Sequence, residues 1–214
     1  MRRIVVLMVA GLLTAQAGVA LAQYGVGNGG GLEILPLFGY RWGGSLNTVT
    51  GFREIKTQDN ISYGVGLGVP TPKYSEVELA WTHYQGTVDY TLTSGFKGTS
   101  SGNVKRDDIV LSGSWYAYHN MSILPYFTAG LGAAIFSSPR TSTVSRFTWD
   151  LGIGFRKDIN DKLGIRFSGK WTPVWVTTGS GVWCDYYYCY TTATGENYDQ
   201  FEVAANLIFK MGGH

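Results

Sequence analysis

Along most of the chain the apolar positions recur every second residue, the period that sends alternate side chains to opposite faces of a β-strand. Eight runs carry it. Residues 32 to 43 set Ile34, Pro36, Phe38, Tyr40 and Trp42 against Glu33, Leu35, Leu37, Gly39 and Arg41. Residues 61 to 69 alternate Ile61, Tyr63, Val65, Leu67 and Val69 with Ser62, Gly64, Gly66 and Gly68. The pattern returns over 74 to 84, 106 to 118, 123 to 135, 144 to 157, 162 to 176 and 198 to 210. Connections alternate as well. Those at Pro70 to Lys73, His119 to Ser122 and Asp158 to Asp161 are short, Phe136 to Thr143 is intermediate, and Gly43 to Asn60, Gln85 to Lys105 and Thr177 to Asn197 are long and polar. An even number of strands joined this way predicts an all-β fold, an eight-stranded antiparallel up-and-down β-barrel.

Period two alone does not say which face meets the medium, and a soluble barrel with an apolar interior has the same alternation. The less apolar face separates the two. A water-facing surface would carry many Lys, Glu, Asp and Asn, whereas the second, fifth and sixth runs carry Gly, Ser and Thr there. Small residues suit the interior of a narrow barrel. The apolar face is uninterrupted over roughly the 9 to 11 residues that a tilted strand needs to cross hydrocarbon. The expectation is therefore a transmembrane β-barrel, its apolar face in lipid, short turns periplasmic and long loops extracellular. Tyr40, Trp42, Trp81 and Tyr84 fall toward one rim and Tyr118 and Phe209 toward the other, as interfacial aromatic girdles would.

Composition agrees: 30 Gly, 14 Tyr, 10 Phe and 7 Trp stand beside only 15% charged residues, against about 25% in soluble domains. The N-terminus adds a destination. Arg2 and Arg3 precede an uncharged apolar run from Ile4 to Ala22 that ends Ala20-Leu21-Ala22, the pattern of a secretory signal peptide cleaved before Gln23. A retained signal anchor is the alternative, set back by Gly11, Thr14, Gln16 and Gly18 within the run. Losing Arg2 and Arg3 brings the 17 basic residues level with the 15 acidic ones, so the mature chain is near neutral and nucleic acid is not an expected partner. The expected domains are a signal peptide at 1–22, a flexible Gly-rich segment at 23–31 and one barrel at 32–214 with four extracellular loops. The localisation that follows is the outer membrane of a diderm bacterium.

The stretch Leu124-Pro125-Tyr126-Phe127-Thr128-Ala129-Gly130-Leu131-Gly132-Ala133 and the hairpin from Trp149 to Phe167 resemble the small eight-stranded outer-membrane barrels, the group of the OmpA transmembrane domain, OmpX and the opacity proteins. The likeness runs from about Leu32 to Phe209 and implies architecture rather than activity. Members commonly end on an aromatic residue, whereas Lys210-Met211-Gly212-Gly213-His214 follows Phe209 here. Nor is there room for a peptidoglycan-binding domain, so cell-wall tethering is not expected.

The inward face collects Glu33, Arg41, Glu76, Glu78, Asp150, Arg156, Arg166, Lys170, Glu202 and Lys210. Charges in a membrane-embedded structure are costly unless paired, so the expectation is a lumenal ion-pair network that plugs the barrel, as the resemblance also implies. If the first and last runs close the barrel, Arg41 and Glu202 share a depth. A gated narrow pore is the competing reading.

Cys184 and Cys189, the only cysteines, flank Asp185-Tyr186-Tyr187-Tyr188 in the last long loop, where an exported protein is expected to form a disulfide. A zinc site lacks ligands, and no cofactor is implied. Trp183, Tyr186, Tyr187, Tyr188 and Tyr190 make either a surface interaction patch or an extension of the girdle. Enzymatic barrels need a His with a Ser and a carboxylate at one rim; His83 is at that level, His119 lies in a periplasmic turn and His214 is terminal. Their motifs are not visible around His83, which reads as a solvated rim residue. Gly64-Val65-Gly66-Leu67-Gly68 opens no helix and is no phosphate loop. The chain thus reads as a structural or surface-interaction barrel serving envelope integrity or adhesion. Its partners would be outer-membrane lipid, lipopolysaccharide and an extracellular surface ligand, with a monomer expected. The alternatives are a porin-like channel or carrier for small or apolar solutes and, behind it, a lipid-modifying enzyme.

Overall fold

The computed structural model describes residues 31–49, 52–71, 74–92, 94–117, 122–138, 141–175, 181–184, 189–191 and 197–211. The leader and Gly-rich segment up to Gly30, Tyr118, His119, Tyr186 to Tyr188 and His214 lie outside them. The chain divides into two units, of which Gly31–Met211 is described here.

Fourteen strands follow one another with no helix among the described residues. They are β1 (Leu32–Trp42), β2 (Ser45–Val49), β3 (Phe52–Thr57), β4 (Asn60–Thr71), β5 (Ser75–Leu92), β6 (Lys97–Tyr116), β7 (Leu124–Ser138), β8 (Thr141–Asp158), β9 (Leu163–Trp171), β10 (Val174–Trp175), β11 (Gly181–Cys184), β12 (Cys189–Thr191), β13 (Asn197–Tyr198) and β14 (Phe201–Met211). Eight of them form the wall. β1, β4, β5, β6, β7, β8, β9 and β14 each pair antiparallel with the next. β14 then returns to β1 with Leu32 opposite Met211 and Trp42 opposite Phe201, which closes the barrel and leaves no free edge.

The alternation read from the sequence sorts as an inside and an outside. On β1, Glu33, Leu35, Leu37, Gly39 and Arg41 are buried, while Phe38, Tyr40 and Trp42 are exposed. Outward apolar residues recur on every wall strand, including Leu67, Leu79, Leu111, Leu131, Phe155, Phe167 and Leu207, with Ile153 reaching 69% exposure. A continuous apolar belt far exceeds the few hundred Å² that water-soluble monomers tolerate. On a closed barrel it is the surface that faces lipid.

Three features differ from the alternation pattern. The connection from Gly43 to Asn60 is largely the hairpin of β2 and β3, and β3 pairs onto β5. The supposed loop from Gln85 to Lys105 is mostly strand, since β5 and β6 remain paired from Ser75–Trp115 up to Thr91–Lys97. β6 is 20 residues long, about twice what crosses hydrocarbon, so the wall continues beyond the membrane. Finally, the seventh run ends at Trp171. Pro173 has no N–H to offer the ladder, its carbonyl takes a hydrogen bond from Thr148 Oγ1 at 2.8 Å, and β10 resumes pairing with β8 at Val174. At the opposite end Asn160 Oδ1 accepts from the Lys162 and Leu163 amides, closing the short turn between β8 and β9.

Candidate functional site: the lumen and its rims

A lumen this narrow is filled by side chains, and here many of those side chains are charged and several of their pairs join strands that are not neighbours in the wall. Toward the periplasmic end, Arg156 on β8 crosses to Glu33 on β1 through a two-pronged contact of 2.6 and 2.8 Å, and to Glu76 on β5 at 2.9 Å. Its Nε donates to Asp158 at 3.1 Å, and Lys210 holds the other Asp158 oxygen at 2.8 Å. Arg166 on β9 reaches Glu76 at 3.2 Å and Glu78 at 2.5 Å, both again across the barrel. The Tyr116 hydroxyl donates to Glu76. Each guanidinium also lies over a ring, Arg156 over Tyr116 and Arg166 over Tyr126, both at 5.7 Å.

A second cluster sits toward the extracellular end. Arg41 on β1 contacts Glu202 on β14 at 2.7 Å and Asp108 on β6 at 2.6 Å. Arg106 donates to Asp108 at 2.7 Å and to Gln200. Arg41 lies over Tyr84 and Arg106 over Phe136. Above them, the Tyr198 hydroxyl shares a hydrogen bond of 2.6 Å with Thr57 and accepts from Gln200 at 3.0 Å. Between the clusters Lys170 stands 3.7 Å from Asp150, with both largely buried.

Lumen glycines make room for this filling. The Cβ that Gly66 lacks would lie 2.5 Å from Glu78 Oε1, and that of Gly130 2.5 Å from Ser112 Oγ and 2.6 Å from Asp150 Oδ1. The tiny residues of the alternating runs are therefore the spaces into which neighbouring strands project long polar side chains. The clusters are not wholly polar surroundings: Leu35, Leu37, Val110 and Ile208 are buried in the same lumen.

The structure brings all ten charged residues singled out by alternation to ion pairs: Glu33, Glu76, Glu78, Arg156 and Arg166 at one end, Lys210 at its rim, Asp150 and Lys170 midway, Arg41 and Glu202 at the other end. Arg106 and Asp108 belong with them and were missed. The parity that places Ser112 and Ser114 inside places these two inside as well, so the signal was present. Tyr84 is corrected: it is 1% exposed and packs in the lumen rather than in a girdle.

The outward aromatics do form a belt at the extracellular rim. Trp149 meets Trp171 at 4.8 Å, Trp171 meets Phe201 at 6.5 Å, Phe201 opposes Trp42, Trp42 meets Tyr40 at 5.4 Å, and Tyr63 meets Trp81 at 6.3 Å. His83 belongs to this rim. It is partly exposed and engaged by neighbours: its Nδ1 is 2.8 Å from Asp107, which also accepts from Trp81 Nε1 at 3.2 Å, and its ring lies 5.1 Å from that of Tyr63. No serine or threonine is hydrogen-bonded to the pair among the described residues. Nor does any group of three or more His, Cys, Asp or Glu there converge as metal ligands would. In the last loop β11 and β12 pair with Trp183 opposite Tyr190 and Cys184 opposite Cys189.

A closed eight-stranded barrel with a charged interior and a lipid-facing apolar belt defines a class: this chain is a transmembrane β-barrel of the outer membrane. Solved structures share the fold. Neisserial surface protein A is 11% identical with a TM-score of 0.56, over 84% of this chain and 97% of that one. Outer-membrane protein OprG of Pseudomonas aeruginosa is 14% identical with a TM-score of 0.57, over 87% and 99%. At these identities the likeness is one of fold. No protein-family model and no curated protein matches the sequence.

Proposed function

We propose that this protein is a plugged structural barrel that anchors an extracellular β-extension for surface interaction, not a solute channel or an enzyme. The observation that carries the reading is that cations on β1, β8 and β9 are paired across the lumen with carboxylates on β1, β5 and β6. Opening a path would strip partners from buried charges, at several kcal/mol each. The long hairpin of β5 and β6, with β3 added to its flank, supports a display role because ordered wall extends past the aromatic rim. The chemistry at His83 supports a packing role, since its partners are the Asp107 carboxylate and the Tyr63 and Trp81 rings, with no hydroxyl engaged among the described residues.

The test is heat-modifiability on a gel combined with planar-bilayer recording from the same folded sample. A shift in mobility without conductance steps is expected. Stable steps of uniform size would overturn the plug in favour of the channel reading.

A further inference from the structure

The belt that faces lipid is not smooth. Over β6 to β9 and β14 it is interrupted by an apolar groove of about 840 Å³ walled by Trp115, Phe127, Phe155, Phe167 and Val203, which rises obliquely from the periplasmic ends of β6, β7 and β8 to Gly169 and Val203, two residues below Trp171 and Phe201. Its depth comes from two small outward residues. Gly169 is flanked in register by Val203 and Ile153, Ala205 by Phe167, and a Cβ added at Gly169 would meet nothing within 4 Å. The volume lies inside the roughly 300–1,000 Å³ range of small-ligand sites.

A groove in this position is open only to hydrocarbon tails or to another membrane protein. Its walls favour the tail: aromatic and branched residues stand proud of a floor one backbone deep, so a flat protein face touches the ridges, whereas a flexible chain fills the trough. The lower end carries the matching charge. Lys157 lies outward on β8, two residues beyond Phe155 toward the periplasmic turn, about 7 Å further along the strand, is exposed, and has no ion-pair partner among the described residues. A lysine so placed snorkels to the interface.

We propose that this groove is a phospholipid site: one acyl chain of a periplasmic-leaflet glycerophospholipid lies across β8 and β9 at Gly169, with its phosphate against Lys157. The barrel would thereby carry a fixed lipid on one side of its wall.

Native mass spectrometry of the full barrel, released from vesicles of phosphatidylethanolamine and phosphatidylglycerol, tests this. The wild type should retain one phospholipid per barrel under activation that strips the rest. Gly169→Trp, which fills the trough, should lower retention about tenfold, and Lys157→Gln should lower it less. Leu131→Trp, on the belt but outside the groove, should leave it unchanged. Heat-modifiability of every variant separates lipid loss from misfolding. Equal retention by wild type and Gly169→Trp in folded samples would overturn the site. So would a wild-type dimer that Gly169→Trp converts to monomer, since the occupant would then be a second copy.

Discussion

The two charged clusters of the lumen use the same residue types to different ends. The periplasmic cluster is built only from wall strands and the rim of one short turn: Arg156 and Arg166 share Glu33, Glu76, Glu78 and Asp158. The extracellular cluster has two arginines for two carboxylates, Asp108 and Glu202, and completes itself with neutral groups from outside the wall, Gln200, Tyr198 and Thr57. One end is thus a plug built from the wall alone. The other ties the plug to the segments the barrel displays, so rearrangement of those segments should reach Arg106 and leave Arg156 undisturbed.

The sharpest test of that contrast is to remove one arginine from each end. Arg156→Ala leaves the buried Glu33 without its cation and Glu76 with Arg166 alone, and a loss of about 3–5 kcal/mol is expected on urea unfolding of the refolded barrel in lipid vesicles. Arg106→Ala should cost less, about 1–3 kcal/mol, because Asp108 keeps Arg41. Equal losses would mean that the two ends are energetically alike. A second test asks whether the upper cluster is a true pair: Arg41→Met and Glu202→Leu, singly and together, should show a coupling of about 0.5–3 kcal/mol. Additive losses would reject it.

Glycines extend the comparison from the ends to the faces. Gly130 and Gly169 are both wall residues, but the first has Ser112 and Asp150 in the place of its missing Cβ and the second has open space. Gly130→Leu should destabilise by about 1–3 kcal/mol through overpacking, while Gly169→Leu should change stability by less than about 0.5 kcal/mol. A reversal of that order would mean the assignment of inside and outside is wrong.

That assignment was legible because parity is a local property. Every second residue from Glu33 to Arg41 is buried whatever the rest of the chain does, and a lipid-facing wall penalises each exception. Closure was legible for the same reason, since Arg41 and Glu202 fall opposite each other once the first and last runs are paired. The partners were not. That Arg156 meets Glu76 rather than an adjacent strand depends on how far a side chain reaches across the lumen, which the register does not encode. The extracellular strands were hidden by composition: between Gln85 and Lys105 the apolar alternation shrinks to Val88, Tyr90 and Leu92 among Gly, Thr, Ser and charged residues, because above the membrane neither face meets lipid, and the signal that marks a spanning strand fades while the hydrogen-bond ladder continues.

The smallest expected effect concerns that outer region. Cys184 and Cys189 are directly opposed across the β11–β12 hairpin. Such partners have Cα atoms about 4.5–5.5 Å apart, within the roughly 4.4–6.8 Å that a disulfide spans. Purified from an oxidising compartment, the folded protein should therefore resist alkylation by iodoacetamide until a reductant is added, and then take up two labels per chain. Because the hairpin lies outside the wall strands, Cys184→Ser with Cys189→Ser should leave the urea midpoint and the heat-modifiable shift of the barrel unchanged. Labelling without reductant would rule out the bridge. A lowered midpoint in the double variant would show instead that this hairpin, like Tyr198, is coupled to the plug.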